Sequence, residues 1–219
     1  MPKARSGVNR RYNSPLRRDQ ARATRRVITE AASHLFREQG YVATSIDQIA
    51  AAAGVSRATV FTSMGDKRAL LRRAYEVAVR GEDDATPLGQ QPRAQAILSE
   101  PNAHRLLAAY AAVCAEIAPR MAPIYETLRA AAQADPEIAQ LWDQIRDERR
   151  YGAGRVANAI ADLGALRRRL GRKAAGDILW VLNDPTLHTM LVDQRGWSHH
   201  HFKTWLATAM QAELIGRDP

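Results

Sequence analysis

Cysteine is almost absent from this chain: Cys114 is the one thiol in 219 residues. No disulfide can form within the chain, which suits a reducing compartment. Lysine is nearly as scarce, with 4 Lys against 28 Arg. That bias, beside abundant Ala, resembles GC-rich bacterial coding more than a function. Long apolar runs are missing too. The longest, Leu106 to Ala115, is too short to cross a bilayer, so no membrane partner is expected. No stretch alternates apolar and polar residues at strand length, and no internal repeat is visible. The basic N-terminus has no apolar segment of the secretory kind. Its Arg-rich, acid-poor character also suits a transit peptide, but Pro2 and Pro15 interrupt any amphipathic helix there. A bacterial cytoplasmic protein, associated with the nucleoid, is the expectation.

What is present is helix-forming and basic. Hydrophobic residues make up 46% of the chain and the formal net charge is +9. Residues 1–80 hold 16 Lys and Arg against 6 Asp and Glu, whereas residues 81–219 hold 16 against 17. The basic character belongs to the first third alone. It points to a polyanion as partner there, and to a second part with a different task.

Residues 1–19 lack hydrophobic periodicity and are read as a disordered basic arm. From Asp19 a helical stripe runs through Val27, Ala31, Leu35 and Phe36, widened by Ile28 and Ala32, and ends at Gly40. Thr44-Ser45-Ile46-Asp47-Gln48 offers two overlapping capping boxes, Thr44 with Asp47 and Ser45 with Gln48. Either one starts a short helix with Ile46, Ile49, Ala50 and Ala53 inward, stopped by Gly54. Ser56 caps the next helix, whose buried side is Val60 and Met64. A fourth helix covers 67–80. Residues 81–91, rich in acid, Gly and Pro, read as a linker.

The remainder is striped for helices again. One is predicted over 102–118, with Pro119 and Pro123 interrupting the chain before another over 123–133. Asp135-Pro136 opens a helix continuing past Gly152 and Gly154 to about Leu163. Residues 172–194 are helical with a break at Asp184-Pro185, and Ser198 caps the last helix.

A short helix, a glycine turn and a second capped helix make a helix-turn-helix, whose second helix enters the major groove with its N-terminal residues at base edges. Such a helix needs small residues for close approach, hydroxyls for phosphates and a long donor for bases. Ser56, Arg57, Ala58, Thr59, Thr62 and Ser63 meet those needs, and Val60 holds the helix down.

The block Arg26, Ala31-Ala32, Leu35-Phe36, Gly40-Tyr41, Thr44-Ser45-Ile46, Ile49-Ala50, Ala53-Gly54-Val55-Ser56, Thr59-Val60-Phe61, Asp66-Lys67, Leu70-Leu71 resembles the N-terminal domain of tetracycline-repressor-like (TetR) transcriptional regulators. The resemblance covers roughly residues 22–80. It implies a three-helix head that binds a palindromic double-stranded DNA operator. It also implies a C-terminal helical domain that forms the homodimer and takes a small-molecule effector. By position it implies that Ser45 touches phosphate, that Arg57, Ala58 and Thr59 face base edges, and that Phe61, Thr62 and Ser63 lie along the backbone. Lys67 would contact a phosphate. The family often carries Tyr or Trp at Phe61 and Thr62; Phe61 has no hydroxyl to donate. A weaker likeness to some family members lies in Gly196-Trp197-Ser198 followed by Phe202 and Trp205.

The expected fold is therefore all-α: a helix-turn-helix head over 20–80 and a helical regulatory and dimerisation domain over 92–219. Tyr110, Cys114, Met121, Tyr125 and Trp142 are candidates to line an effector site, with ordinary core packing as the plainer account. Leu179, Leu182, Phe202, Trp205, Leu206 and Met210 are candidates for the dimer face. No cofactor or metal is expected: His199, His200 and His201 are adjacent rather than four apart, which scatters them around a helix. Asp147, Glu148, Arg149 and Arg150 read as a solvated helix face. The chain is expected to be a regulator, a repressor released by its ligand, and not an enzyme. The alternatives are an architectural DNA-binding protein without ligand response and a nucleic-acid-associated enzyme.

Overall fold

A computed structural model of the chain describes residues 15–81 and 86–215. The basic arm expected over residues 1–19 lies, as far as residue 14, outside them. Among the described residues the backbone is helical nearly throughout, and the one β pairing is an isolated antiparallel bridge, Leu166 with Ile215. α1 spans Pro15–Ala43, with a kink at Gly40. It starts four residues earlier than the periodicity predicts, at a proline whose fixed φ and missing N–H suit a first helical turn. α2 (Ile46–Ala52), α3 (Arg57–Met64) and α4 (Lys67–Arg80) complete the head. Of the two overlapping caps, the Ser45 box forms: Ser45 Oγ accepts from the Gln48 amide and the Gln48 side chain accepts from the Ser45 amide. The Thr44 hydroxyl goes instead to the Gly40 carbonyl at 2.7 Å.

After a 3₁₀ turn at Leu88–Gln90 come α5 (Pro92–Leu98) and α6 (Ala103–Ala131). The break predicted at Pro119 and Pro123 does not occur; α6 carries both prolines inside one continuous helix. Each proline leaves the carbonyl four residues earlier without its amide. Both prolines are exposed on the outer side, while Ile117, Met121, Ile124, Tyr125 and Leu128 are buried. Burial of that inner stripe offsets the two missing bonds. α7 (Pro136–Asp162) runs unbroken past Gly152 and Gly154, as the sequence predicts. α8 (Arg172–Leu182), α9 (Thr186–His188), a π turn over Thr189–Asp193 and α10 (His199–Leu214) follow. The Asp184-Pro185 break falls between α8 and α9.

The head and the C-terminal helices are not separate cores. One apolar cluster runs from Ile28, Phe36, Val60 and Leu71 into Tyr125, Leu128 and Ile145. A second gathers Leu106, Leu107, Ala153, Leu179, Phe202 and Met210. Across the junction, Thr127 on α6 donates to the Phe36 carbonyl at 3.2 Å and Arg72 on α4 pairs with Glu148 on α7 at 2.6 Å. α1 and α4 thus share a core and polar contacts with α6 and α7.

Candidate nucleic-acid interface

The turn between α2 and α3 is built on Gly54, whose φ of 67° is costly for any residue with a Cβ. The Val55 amide bonds back to the Ala50 carbonyl at 3.0 Å, which reverses the chain. Ser56 then caps α3: its Oγ accepts from the Thr59 amide at 3.0 Å and shares a hydrogen bond with the Thr59 hydroxyl. α3 is pinned by a single fully buried side chain, Val60. Ser45, Ser56, Arg57, Ala58, Phe61 and Thr62 are exposed, and Thr59 and Ser63 are half-buried. Phe61 is a large aromatic left 43% exposed. The Thr62 hydroxyl donates to the Ala58 carbonyl at 2.9 Å, within its own helix.

The two long cations among the candidate DNA contacts have partners within the chain. Arg57 Nη1 donates to Asp47 Oδ2 at 2.5 Å, across the turn from α3 to α2, and its guanidinium carbon sits 5.4 Å from the Phe61 ring centre. Lys67 is turned inward. Its Nζ donates to the Tyr41 and Thr44 carbonyls, both at 3.0 Å, and lies 4.2 Å from the Tyr41 ring centre. Loss of solvent lowers the Lys67 pKa, against an opposing pull from Asp135. Two of its three N–H groups thus tie α4 to the end of α1, a bracing role that the sequence did not suggest beside the expected phosphate contact.

The five candidates for an effector site make contacts within the chain. The Tyr110 hydroxyl accepts from Asn183 Nδ2 at 2.7 Å, and the Tyr125 hydroxyl accepts from Arg149 Nη1. Trp142 leans on the Tyr125 ring at 4.5 Å between centres, and Met121 is buried. Burial pushes the Cys114 thiol up to about 12. Clefts of about 480 and 400 Å³ lie elsewhere, one between Leu98, Glu100, Arg155 and Asp162, the other between Arg150, Asn158, Arg172 and Asp177. The side chain that bonds Tyr125 was expected on a solvated face. Arg149 is buried, and besides Tyr125 it meets Asp184 Oδ2 at 3.3 Å, Asn183 Oδ1 at 2.6 Å and the Trp180 carbonyl at 3.2 Å. The signal was available: Arg149 continues the inward stripe of Ile138, Leu141 and Ile145.

The dimer candidates also need correction. Leu179, Phe202, Leu206 and Met210 lie within the chain's own second core, so they are not free to meet a partner. The stripe of α10 is wide because α6 and α8 both pack on it. Trp205 and Leu182 are half-buried, and Val181 and Met190 are exposed.

Residues 28–74 match a family of known proteins, the bacterial regulatory proteins of the tetR family. The match covers the helix-turn-helix head, from α1 into α4. No curated protein matches it at the level of sequence. Solved structures match along nearly its whole length. NalD of Pseudomonas aeruginosa, the secondary repressor of the MexAB-OprM multidrug efflux pump, is 19% identical with a TM-score of 0.66, covering 93% of this chain and 100% of its own. FadR of Bacillus subtilis, a transcriptional regulator solved with stearoyl-CoA, is 18% identical with a TM-score of 0.67, covering 85% and 97%. SmeT, the repressor of the Stenotrophomonas maltophilia multidrug efflux pump SmeDEF, is 19% identical with a TM-score of 0.61, covering 87% and 90%. At such identities the likeness is one of fold. It takes in the C-terminal helices as well as the head.

Proposed function

We propose that this chain is a tetR-family regulator: a cytoplasmic, sequence-specific DNA-binding protein that acts as a homodimer and represses until a small molecule releases it. The observation that carries this is α3 itself: one buried anchor, Val60, under a capped helix whose other face is small, hydroxylated and topped by Arg57. A helix of that make fits a groove and has no reason to be so bare in a packed bundle. Around it, the basic residues of the head supply the sequence-independent attraction to phosphate.

Two heads related by a twofold axis read half-sites separated by whole turns of DNA. The shared core of head and C-terminal helices gives a ligand its route: a shift of α6 or α7 moves α4 and changes the spacing of the heads. A thousandfold loss of operator affinity asks the ligand for about 4 kcal/mol of preference between the two states. The buried guanidinium of Arg149, ringed by Tyr125, Asn183 and Asp184, supports a polar effector seat in this region. The outer sides of α8 and α10, with Val181, Leu182 and Trp205, support the self-association face.

Selection of bound DNA from a random pool tests the proposal. A palindromic motif with equal half-sites is expected. Binding that follows only salt and DNA length, with no motif, would leave an architectural DNA-coating protein in its place.

A further inference from the structure

Asp47 does not cap its own helix. The Ser45 and Gln48 box caps α2, and Thr44 bonds Gly40. An acid in a first turn does favour a helix, but that leaves its direction free. In this chain the Asp47 carboxylate is aimed across the turn at Arg57, with a contact of 2.5 Å between side chains 65% and 57% exposed. An ion pair so open to water contributes little stability. A negative charge beside the recognition helix also weakens attraction to phosphate. What the contact does set is the direction of the guanidinium. Asp47 takes Nη1, and the Phe61 ring, itself in water, supports the group at 5.4 Å. The edge that remains, Nη2 with Nε, carries two parallel N–H groups. That fork matches O6 and N7 of a guanine in the major groove, and the match depends on alignment of the plane.

We propose that Asp47 is a specificity-determining residue: by holding Arg57 across the helix-turn-helix, it makes Arg57 a reader of guanine rather than a mobile cation that accepts any phosphate or base. The inference rests on the DNA-binding reading above. It predicts a division of labour in which Arg57 makes the contact and Asp47 restricts it.

The test uses the full chain and random-pool selection, followed by titration of the selected site and of random-sequence DNA. The wild type is expected to select one guanine per half-site that Arg57→Ala no longer selects. Asp47→Ala is expected to lose preference at that same position by about tenfold, the scale of one bidentate contact. Its affinity for random-sequence DNA stays level or rises. Asp47→Asn, which keeps an acceptor oxygen, falls between the wild type and Asp47→Ala. Wild-type preference at that guanine in both Asp47 variants overturns the proposal. So does a loss spread evenly over the motif, as a distorted α2 would give, or a guanine that survives Arg57→Ala. A wild-type chain that selects no motif at all is a failure of the DNA-binding reading instead.

Discussion

Arg149 is buried, whereas Arg150, the next residue along α7, stands in water. The Arg150 pair with Asp177 is 56% and 44% exposed, while the Arg149 pair with Asp184 is 6% and 27% exposed. Burial decides what each is worth. Asp184→Asn keeps an oxygen for the Thr186 amide but leaves the Arg149 charge with neutral partners only; a loss of about 1–3 kcal/mol is expected. Arg150→Gln is expected to change stability by less than about 0.5 kcal/mol. Urea unfolding of the two variants beside the wild type checks the contrast. Burial acts on the acids of the interior as well. It pushes Tyr41 and Tyr125 up to about 12, as it does Cys114, and lifts Tyr110 well above the ordinary phenol value. The folded chain therefore holds protons that the unfolded chain releases. The resulting stability is complete below pH 9, the ordinary thiol value, and is lost as pH rises from there towards 12. The urea midpoint should stay level from pH 7 to 8.5 and fall by pH 10.5. A midpoint that holds at pH 10.5 would contradict it.

At the scale of elements, two features depend on which side of a helix faces inward. α6 tolerates Pro119 and Pro123 because both face out, away from the stripe that packs on the head. α7 and α8 approach closely at Gly154 and Gly176, where a Cβ added to Gly176 would sit 3.4 Å from Gly154 Cα and 3.9 Å from Ala157 Cβ. Alanine there is at the edge of ordinary contact, and a branched side chain is beyond it. Gly176→Ala should therefore change the midpoint of thermal unfolding little. Gly176→Val should destabilise by about 1–3 kcal/mol as the helices are forced apart. Equal midpoints for the two would show that the crossing has room.

For the whole molecule, the question is which apolar side chains serve the chain's own core and which are left for a second copy. Phe202 is 2% exposed and Val181 57% exposed. Phe202→Asp should unfold the C-terminal helices, because a carboxylate cannot enter that core without large cost. Val181→Asp should leave the fold intact and, with the twofold interface disrupted, yield monomers that bind a palindromic site far more weakly. Sedimentation and circular dichroism of the two variants separate the outcomes. A Val181→Asp chain that remains dimeric would remove α8 from the proposed interface.

Local signals in the sequence determined the helices of the head, their caps and the glycine turn, because a cap, a turn and a 3.6-residue stripe are each written within a few neighbouring residues. The same signals determined α7, α8 and α10. They also pointed to Arg57 as the long donor of α3. Only the tertiary structure decided that α6 runs through two prolines, since the packing that offsets them comes from α1 and α4. It alone assigned the α10 stripe to the chain's own core, turned Lys67 inward to the Tyr41 and Thr44 carbonyls, buried Arg149 against Asp184 and set Asp47 against Arg57. Each of those outcomes depends on groups brought together from separate segments, 35 residues apart for Arg149 and Asp184 and 91 for Thr127 on α6 and Phe36 on α1. A stripe in a sequence tells which side of a helix is covered; what covers it is a property of the folded chain.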